Sequence, residues 1–186
     1  MITRPRVGIS ACLLGAQVRY DGDHRHARIV VDLIGPHVDW VSVCPEVEVG
    51  MGVPREAVDL VIISDAAVSP RKLAMHGMQS DFDWTPRMEN FAAEKIAGLS
   101  RLDGYVLKSR SPSCALTDAR ILAPARDRTL APEARIVDRG PGLFAQALLA
   151  RFPDLPIADE RALGDQAACR AFLARVRAYA AGQGAR

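Results

Sequence analysis

Short apolar runs alternate along this chain with longer segments of helical period, and the alternation predicts layers of sheet and helix. Val7-Gly8-Ile9-Ser10-Ala11-Cys12 reads as a short buried strand, followed by a Gly- and Asp-bearing loop over 15–25. Residues 27–35 suit a short helix. The run 39–44, ending Val43-Cys44, predicts a second strand that Pro45 stops. The unbroken apolar run 58–63 predicts a third, of the kind found in sheets covered on both faces. Met88, Phe91, Ala92, Ile96, Leu99 and Leu102 fall close to one face of a helix over 85–102, opened by Thr85-Pro86. A strand follows at 104–108, then a helix over 142–151 behind Gly140-Pro141-Gly142, a short strand at 155–158 and an Ala-rich helix over 165–181. Residues 182–186 read as a frayed tail, and the stretches 123–139 and 64–84 as the two longest loops. The order predicts one α/β domain over 1–186. It would hold a mostly parallel sheet flanked by helices in Rossmann-like layers, with any site at the C-terminal ends of the strands.

Composition changes this picture little. Of 186 residues, 49% are apolar and 25% charged, an ordinary globular mixture. The net charge is +2 and no Lys/Arg block stands out, so a nucleic-acid partner is not expected. The first residues lead straight into the apolar strand without a signal-peptide pattern, and no stretch reaches the ~20 apolar residues of a membrane span. The expected setting is cytoplasmic, where four cysteines serve as ligands, catalysts or core residues rather than disulfides.

The cysteines carry the candidate chemistry. Cys12 ends the first strand, Cys44 ends the second, and Cys114 lies six residues beyond Lys108, after a later strand. Strand ends in a parallel sheet share one edge, so three thiols distant in sequence are expected to meet there. Any one of them could be a small buried hydrophobe; three at strand ends, each beside Gly, Pro or Ser, point to a metal site. Cys169, in Ala167-Ala168-Cys169-Arg170, reads as helix filler. Three thiolates suit either zinc with a bound water or an iron–sulfur cluster with one open iron, and the residues alone leave both open. His24, His26, His37 and His76 fall in polar loop or helix stretches and are poor candidates for a fourth ligand.

Glu46 and Glu48 lie just past Cys44, placed as surface acids or as proton carriers whose pKa burial would raise. Ser109, Ser111 and Ser113 precede Cys114 and either cap a turn or hydrogen-bond a substrate ring. Lys108 and Arg110, with any helix starting after Cys114, are expected to lower thiol pKa. Arg19-Tyr20-Asp21-Gly22 reads as a loop and turn able to line a pocket. No P-loop, dinucleotide fingerprint or nucleophile elbow is present.

Ser10-Ala11-Cys12-Leu13-Leu14-Gly15 with Val18–Gly22, Val43-Cys44-Pro45-Glu46-Val47-Glu48 with Pro54-Arg55-Glu56, and Leu107-Lys108-Ser109-Arg110-Ser111-Pro112-Ser113-Cys114 together resemble the thiouracil desulfidase family over about residues 6–181. The resemblance implies a 4Fe–4S cluster on Cys12, Cys44 and Cys114, its fourth iron free to take sulfur from a thiolated pyrimidine such as 2-thiouracil. The products would be the oxo base and hydrosulfide, without net redox. It further implies that Glu46 or Glu48 shuttles protons and that Ser109 or Ser111 orients the ring, with Glu46 and Ser111 the first choices. Ala115 stands where many members have Gly, Ala158–Ala162 departs from a more acidic pattern, and 64–84 aligns poorly. The competing readings are a zinc hydrolase of a small heterocycle and a non-enzymatic metal- or cluster-binding module.

Overall fold

The structure, a computed structural model, describes residues 4–63, 72–99, 101–123 and 136–183. In chain order its elements are β1 (Arg6–Ser10), α1 (Arg28–Ile34), β2 (Asp39–Val43), α2 (Pro45–Glu48), β3 (Val58–Ile62), β4 (Leu73–Gly77), α3 (Thr85–Gly98), β5 (Gly104–Leu107), β6 (Ala119–Leu122), β7 (Ile136–Gly140), α4 (Leu143–Arg151), β8 (Ile157–Asp159) and α5 (Gln166–Gln183). Among the described residues these form two four-stranded sheets. The first runs β2-β1-β5-β8 with every pair parallel. The second runs β4-β3-β6-β7, parallel only between β3 and β6 and antiparallel at both outer pairs.

Alternation along the strands of the first sheet places its two faces. Val7, Ile9 and Val106 pack with Val30 and Ile34 of α1 and Phe172 and Val176 of α5. Tyr105 and Leu107 point the other way, into a larger core with Met88, Ala92 and Ile96 of α3 and Phe144 and Leu148 of α4. The positions 88, 92 and 96 recur every four residues, which puts them on one stripe of the helix. Leu60, Ile62 and Met75 of the second sheet join that same core, so the buried faces of α3 and α4 pack against residues of both sheets.

Several boundaries differ from the sequence expectation. The first strand stops at Ser10, and Ala11–Leu14 tightens into a 3-10 turn ended by Gly15 at φ 93°, a left-handed conformation that glycine adopts without strain. The helix from Thr85 ends at Gly98, leaving Leu99 and Leu102 buried in the turn that follows. The stretches read as loops carry strands: β4 lies within 64–84 and β7 begins within 123–139 and ends at Gly140, while 64–71 and 124–135 are outside the described residues. His76 accordingly sits in a strand. The terminal helix runs through Gln183, so 182 and 183, expected in a frayed tail, are helical; 184–186 lie outside the described residues. Among the described residues no helix is long and apolar enough to cross a membrane.

Candidate functional site

Parallel pairing of β2, β1 and β5 brings their C-terminal ends side by side, and each is followed by a cysteine. Cys12 lies in the 3-10 turn after β1, where its carbonyl accepts the amides of Gly15 at 3.3 Å and Arg25 at 2.9 Å. Cys44 directly follows β2 and caps α2, with Pro45 at the first helical position, where its missing N–H costs nothing. The Cys44 amide donates to Glu48 Oε1 at 3.1 Å, and its thiol faces the Val18 carbonyl at 3.8 Å.

The Cys114 loop is held from two sides. Ser111 Oγ accepts the amides of Ser113 at 3.2 Å and Cys114 at 3.1 Å, a turn cap of the kind serine favours. From behind, the start of α4 donates to the loop: Gly142 N to Ala115 O at 2.8 Å, Leu143 N to Pro112 O at 3.0 Å and Ala145 N to Ser113 O at 3.0 Å. A Cβ on Gly142 would stand 2.3 Å from the Ser113 carbonyl carbon, so only glycine allows this approach. The sequence expectation of a helix N-terminus acting on Cys114 is therefore corrected. The element after Cys114 is β6, and the amides of α4 are engaged by loop carbonyls.

All three thiols line one cavity of about 360 Å³, and among the described residues no histidine does. Burial pushes the Cys12 thiol up to about 11, helped by Cys44 and opposed by Lys108 and Arg19. Burial also raises Cys44, although backbone amides of α2 oppose it, and raises Cys114 despite a hydrogen bond with Ser10. Lys108 does pull Cys12 down as expected, joined by Arg19 rather than Arg110, but desolvation outweighs them. Without a metal the three groups are thiols, and a thiophilic metal must displace their protons.

Two carboxylates stand beside the thiols, each in its own polar cluster. Glu46 lines the cavity; its Oε1 accepts the hydroxyls of Ser113 at 2.9 Å and Ser111 at 3.2 Å, and its Oε2 meets Arg55 Nη2 at 2.5 Å. Arg55 also donates to the carbonyls of Val18 and Gly52, both at 3.0 Å, so one guanidinium ties the Cys12 loop to the Cys44 loop. Glu160 forms the second cluster. Its Oε1 receives Lys108 Nζ at 2.5 Å and Ser109 Oγ at 2.6 Å, and its Oε2 receives the Ser109 amide at 2.8 Å.

Of the residues singled out in the sequence, Cys12, Cys44, Cys114, Glu46, Ser109 and Ser111 line the cavity. Arg19 and Tyr20 do as well. Glu48 does not; its carboxylate fixes the Cys44 amide and pairs with Lys95 Nζ at 2.6 Å. Sequence reasoning missed Glu160 and the roles of Arg55, Ser113 and Ser10, although Arg55 sits in a quoted motif and Glu160 in the stretch noted as a departure.

The donors suit an iron–sulfur cluster. Among the described residues no group of three or more His, Cys, Asp or Glu is placed to hold a metal ion. A cluster takes each thiolate on a different iron, so its ligands need not converge on one point.

The model of a family described as 2-thiouracil desulfurase matches residues 7–160. Among solved structures, a chain described as the 4Fe-4S-dependent thiouracil desulfidase TudS matches with a TM-score of 0.58 at 26% identity, over 88% of this chain and 96% of that one. No curated protein matches.

Proposed function

Because this chain belongs to the 2-thiouracil desulfurase family, we propose that it removes sulfur from a thiolated pyrimidine such as 2-thiouracil, giving the oxo base and hydrosulfide without net redox. Cys12, Cys44 and Cys114 would hold a 4Fe–4S cluster and leave one iron without a protein ligand. The observation that carries this reading is the meeting of three thiols, from three adjacent parallel strands, in a cavity that Glu46 also lines. When bound, the cluster supplies a thiophilic Lewis acid for the departing sulfur.

The remaining work falls to the chain itself. Adding water to the thiocarbonyl carbon and expelling hydrosulfide releases one proton overall, and a base must take it from water as the C–O bond forms. Glu46 does this: Ser111 and Ser113 occupy its Oε1, while Arg55 fixes its Oε2. The same carboxyl then returns that proton to the sulfur as the C–S bond breaks, and the hydroxyl left on the carbon gives its own proton to solvent, the one released overall, as the C=O bond forms. Burial keeps competing bulk water from the three thiols, two of which are under a tenth exposed. A zinc hydrolase would use the same sulfurs, but around one ion.

Anaerobic reconstitution with iron and sulfide, followed by hydrosulfide release from 2-thiouracil, tests the reading. A brown protein with about four irons per chain that liberates one hydrosulfide per oxo base supports it. A colourless protein that binds one zinc and hydrolyses the ring or an amide would replace it.

A further inference from the structure

The hydrogen-bond inventory of the Glu160 cluster limits what the cavity wall can offer a ligand. A lysine ammonium has three protons, and those of Lys108 reach the Ser109 carbonyl at 2.9 Å, the Ser109 hydroxyl at 3.0 Å and Glu160 Oε1 at 2.5 Å. Lys108 borders the cavity with no proton left to donate. A serine hydroxyl has one proton and two lone pairs. The proton of Ser109 goes to Glu160 Oε1 at 2.6 Å and one lone pair takes Lys108. Among the described residues nothing occupies the other lone pair, and Ser109, only 2% exposed, lines the cavity. Ser111 is different: its hydroxyl donates to Glu46 and accepts two amides, which fills it.

Burial alone would raise the Glu160 carboxyl, but hydrogen bonds from Lys108 and Ser109 outweigh it and hold it below its ordinary value. The carboxylate therefore stays an acceptor, and the Ser109 proton stays turned toward it. Glu46, which lines the same cavity, is a second acceptor, so neither carboxylate cluster offers a ligand a free serine hydroxyl proton.

We propose that Ser109, locked as a hydrogen-bond acceptor by Lys108 and Glu160, selects substrates with an N–H beside the reacting C=S, as in a thiolactam, and discriminates against N-alkylated thiones. The inference rests on the desulfuration reading and names the substrate class within it. An N-methyl group removes the donor and leaves a buried acceptor unpaired, which weakens binding by about tenfold or more. Glu160 is a positioning residue here, acting through the orientation of the Ser109 hydroxyl. In a glutamine at 160, an NH2 facing the Ser109 hydroxyl loses the lock, whereas an NH2 facing the Ser109 amide meets it donor to donor, so the orientation that would keep the lock is disfavoured.

The test measures binding of uracil, 1-methyluracil and 3-methyluracil to the reconstituted protein by calorimetry, beside KM and kcat for 2-thiouracil and its two N-methyl forms. The wild type is expected to bind uracil about tenfold more tightly than at least one methylated base, with the same ratio in KM for the thiones. Ser109→Ala and Glu160→Gln should bring that ratio within about threefold, changing KM more than kcat. Equal binding of all three bases by the wild type, no binding of uracil, or an undiminished ratio in either variant overturns the inference. Failure of 2-thiouracil to release hydrosulfide counts instead against the reading it rests on, since uracil binding requires no turnover.

Discussion

Two clusters of the same composition flank the thiols, each a carboxylate, a cation and serine hydroxyls, and they differ in what they leave exposed. In the first, Arg55 and Glu46 are nearly enclosed, with side chains 6% and 13% exposed, and the carboxylate itself borders the thiol cavity. In the second, Lys108 and Glu160 are 17% and 15% exposed, and Glu160 borders a neighbouring cavity of about 670 Å³, with Ser109 between it and the thiols. On the proposed reading, similar chemistry serves two ends. A carboxylate at the reacting centre can move protons, whereas one set behind a hydroxyl can only decide which way that hydroxyl points.

Removing the cations separates the clusters most. Arg55→Met leaves the buried Glu46 carboxylate without its cation, held only by two serine hydroxyls, and takes a donor from the Val18 and Gly52 carbonyls, and should cost about 3–5 kcal/mol in urea unfolding. Lys108→Met should cost about 1.5–3 kcal/mol, because Glu160 keeps its bonds from Ser109. Equal losses would erase the distinction in enclosure. Neutralising the carboxylates comes next: Glu46→Gln should lower kcat about 100-fold with iron content unchanged. Glu160→Gln should lower kcat by less than about tenfold while raising KM. If the two variants lose kcat alike, both carboxylates handle protons and the assignment of roles fails.

Glu48→Ala sharpens the contrast from a third position. This carboxylate serves the Cys44 amide rather than the cavity, so about 1 kcal/mol of stability should go while turnover of the loaded enzyme changes little. The smallest effect is in pH. Because Glu160 sits below its ordinary value of 4.5, its ionised form adds stability above that pH and loses it as pH falls through the lower folded value. The stability gap between wild type and Glu160→Gln should therefore be full at neutral pH and shrink below 4.5, read from urea midpoints across the acid range.

The thiol-bearing sheet was far more legible in the sequence than the second sheet. Its strands are apolar runs that end in cysteine, proline or a loop signal, and a shared parallel edge follows from the alternation of strand and helix. Apart from β3, whose apolar run predicts a strand, the second sheet draws on short pieces with little pattern. Residues Ile136–Gly140 read Ile-Val-Asp-Arg-Gly and are mostly exposed, while Ala119–Leu122 is four residues long and pairs with Leu60 and Val61 across some sixty positions. Local pattern cannot report such pairing.

The site divides in the same way. Cys12, Cys44, Cys114 and Glu46 sit next to strand ends and could be placed from one dimension. Glu160 lies fifty-one residues from Ser109 and reaches it only because β8 pairs with β5, the register setting Asp159 opposite Leu107 and so Glu160 beside Lys108. Arg55 returns to Glu46 after a turn whose glycines at 50 and 52 both take positive φ. Neither meeting leaves a spacing signal in the chain.

If Cys12, Cys44 and Cys114 act as one ligand set, iron and labile sulfide per chain after anaerobic reconstitution depend on each of the three. Cys169 is the internal control, buried in the core between α1 and α5 with its thiol on the Leu163 carbonyl at 3.4 Å. The account predicts that Cys12→Ser, Cys44→Ser and Cys114→Ser each lose most of the cluster while Cys169→Ser retains the wild-type iron and sulfide. Full cluster content in any of the first three, or its loss in the fourth, would contradict it.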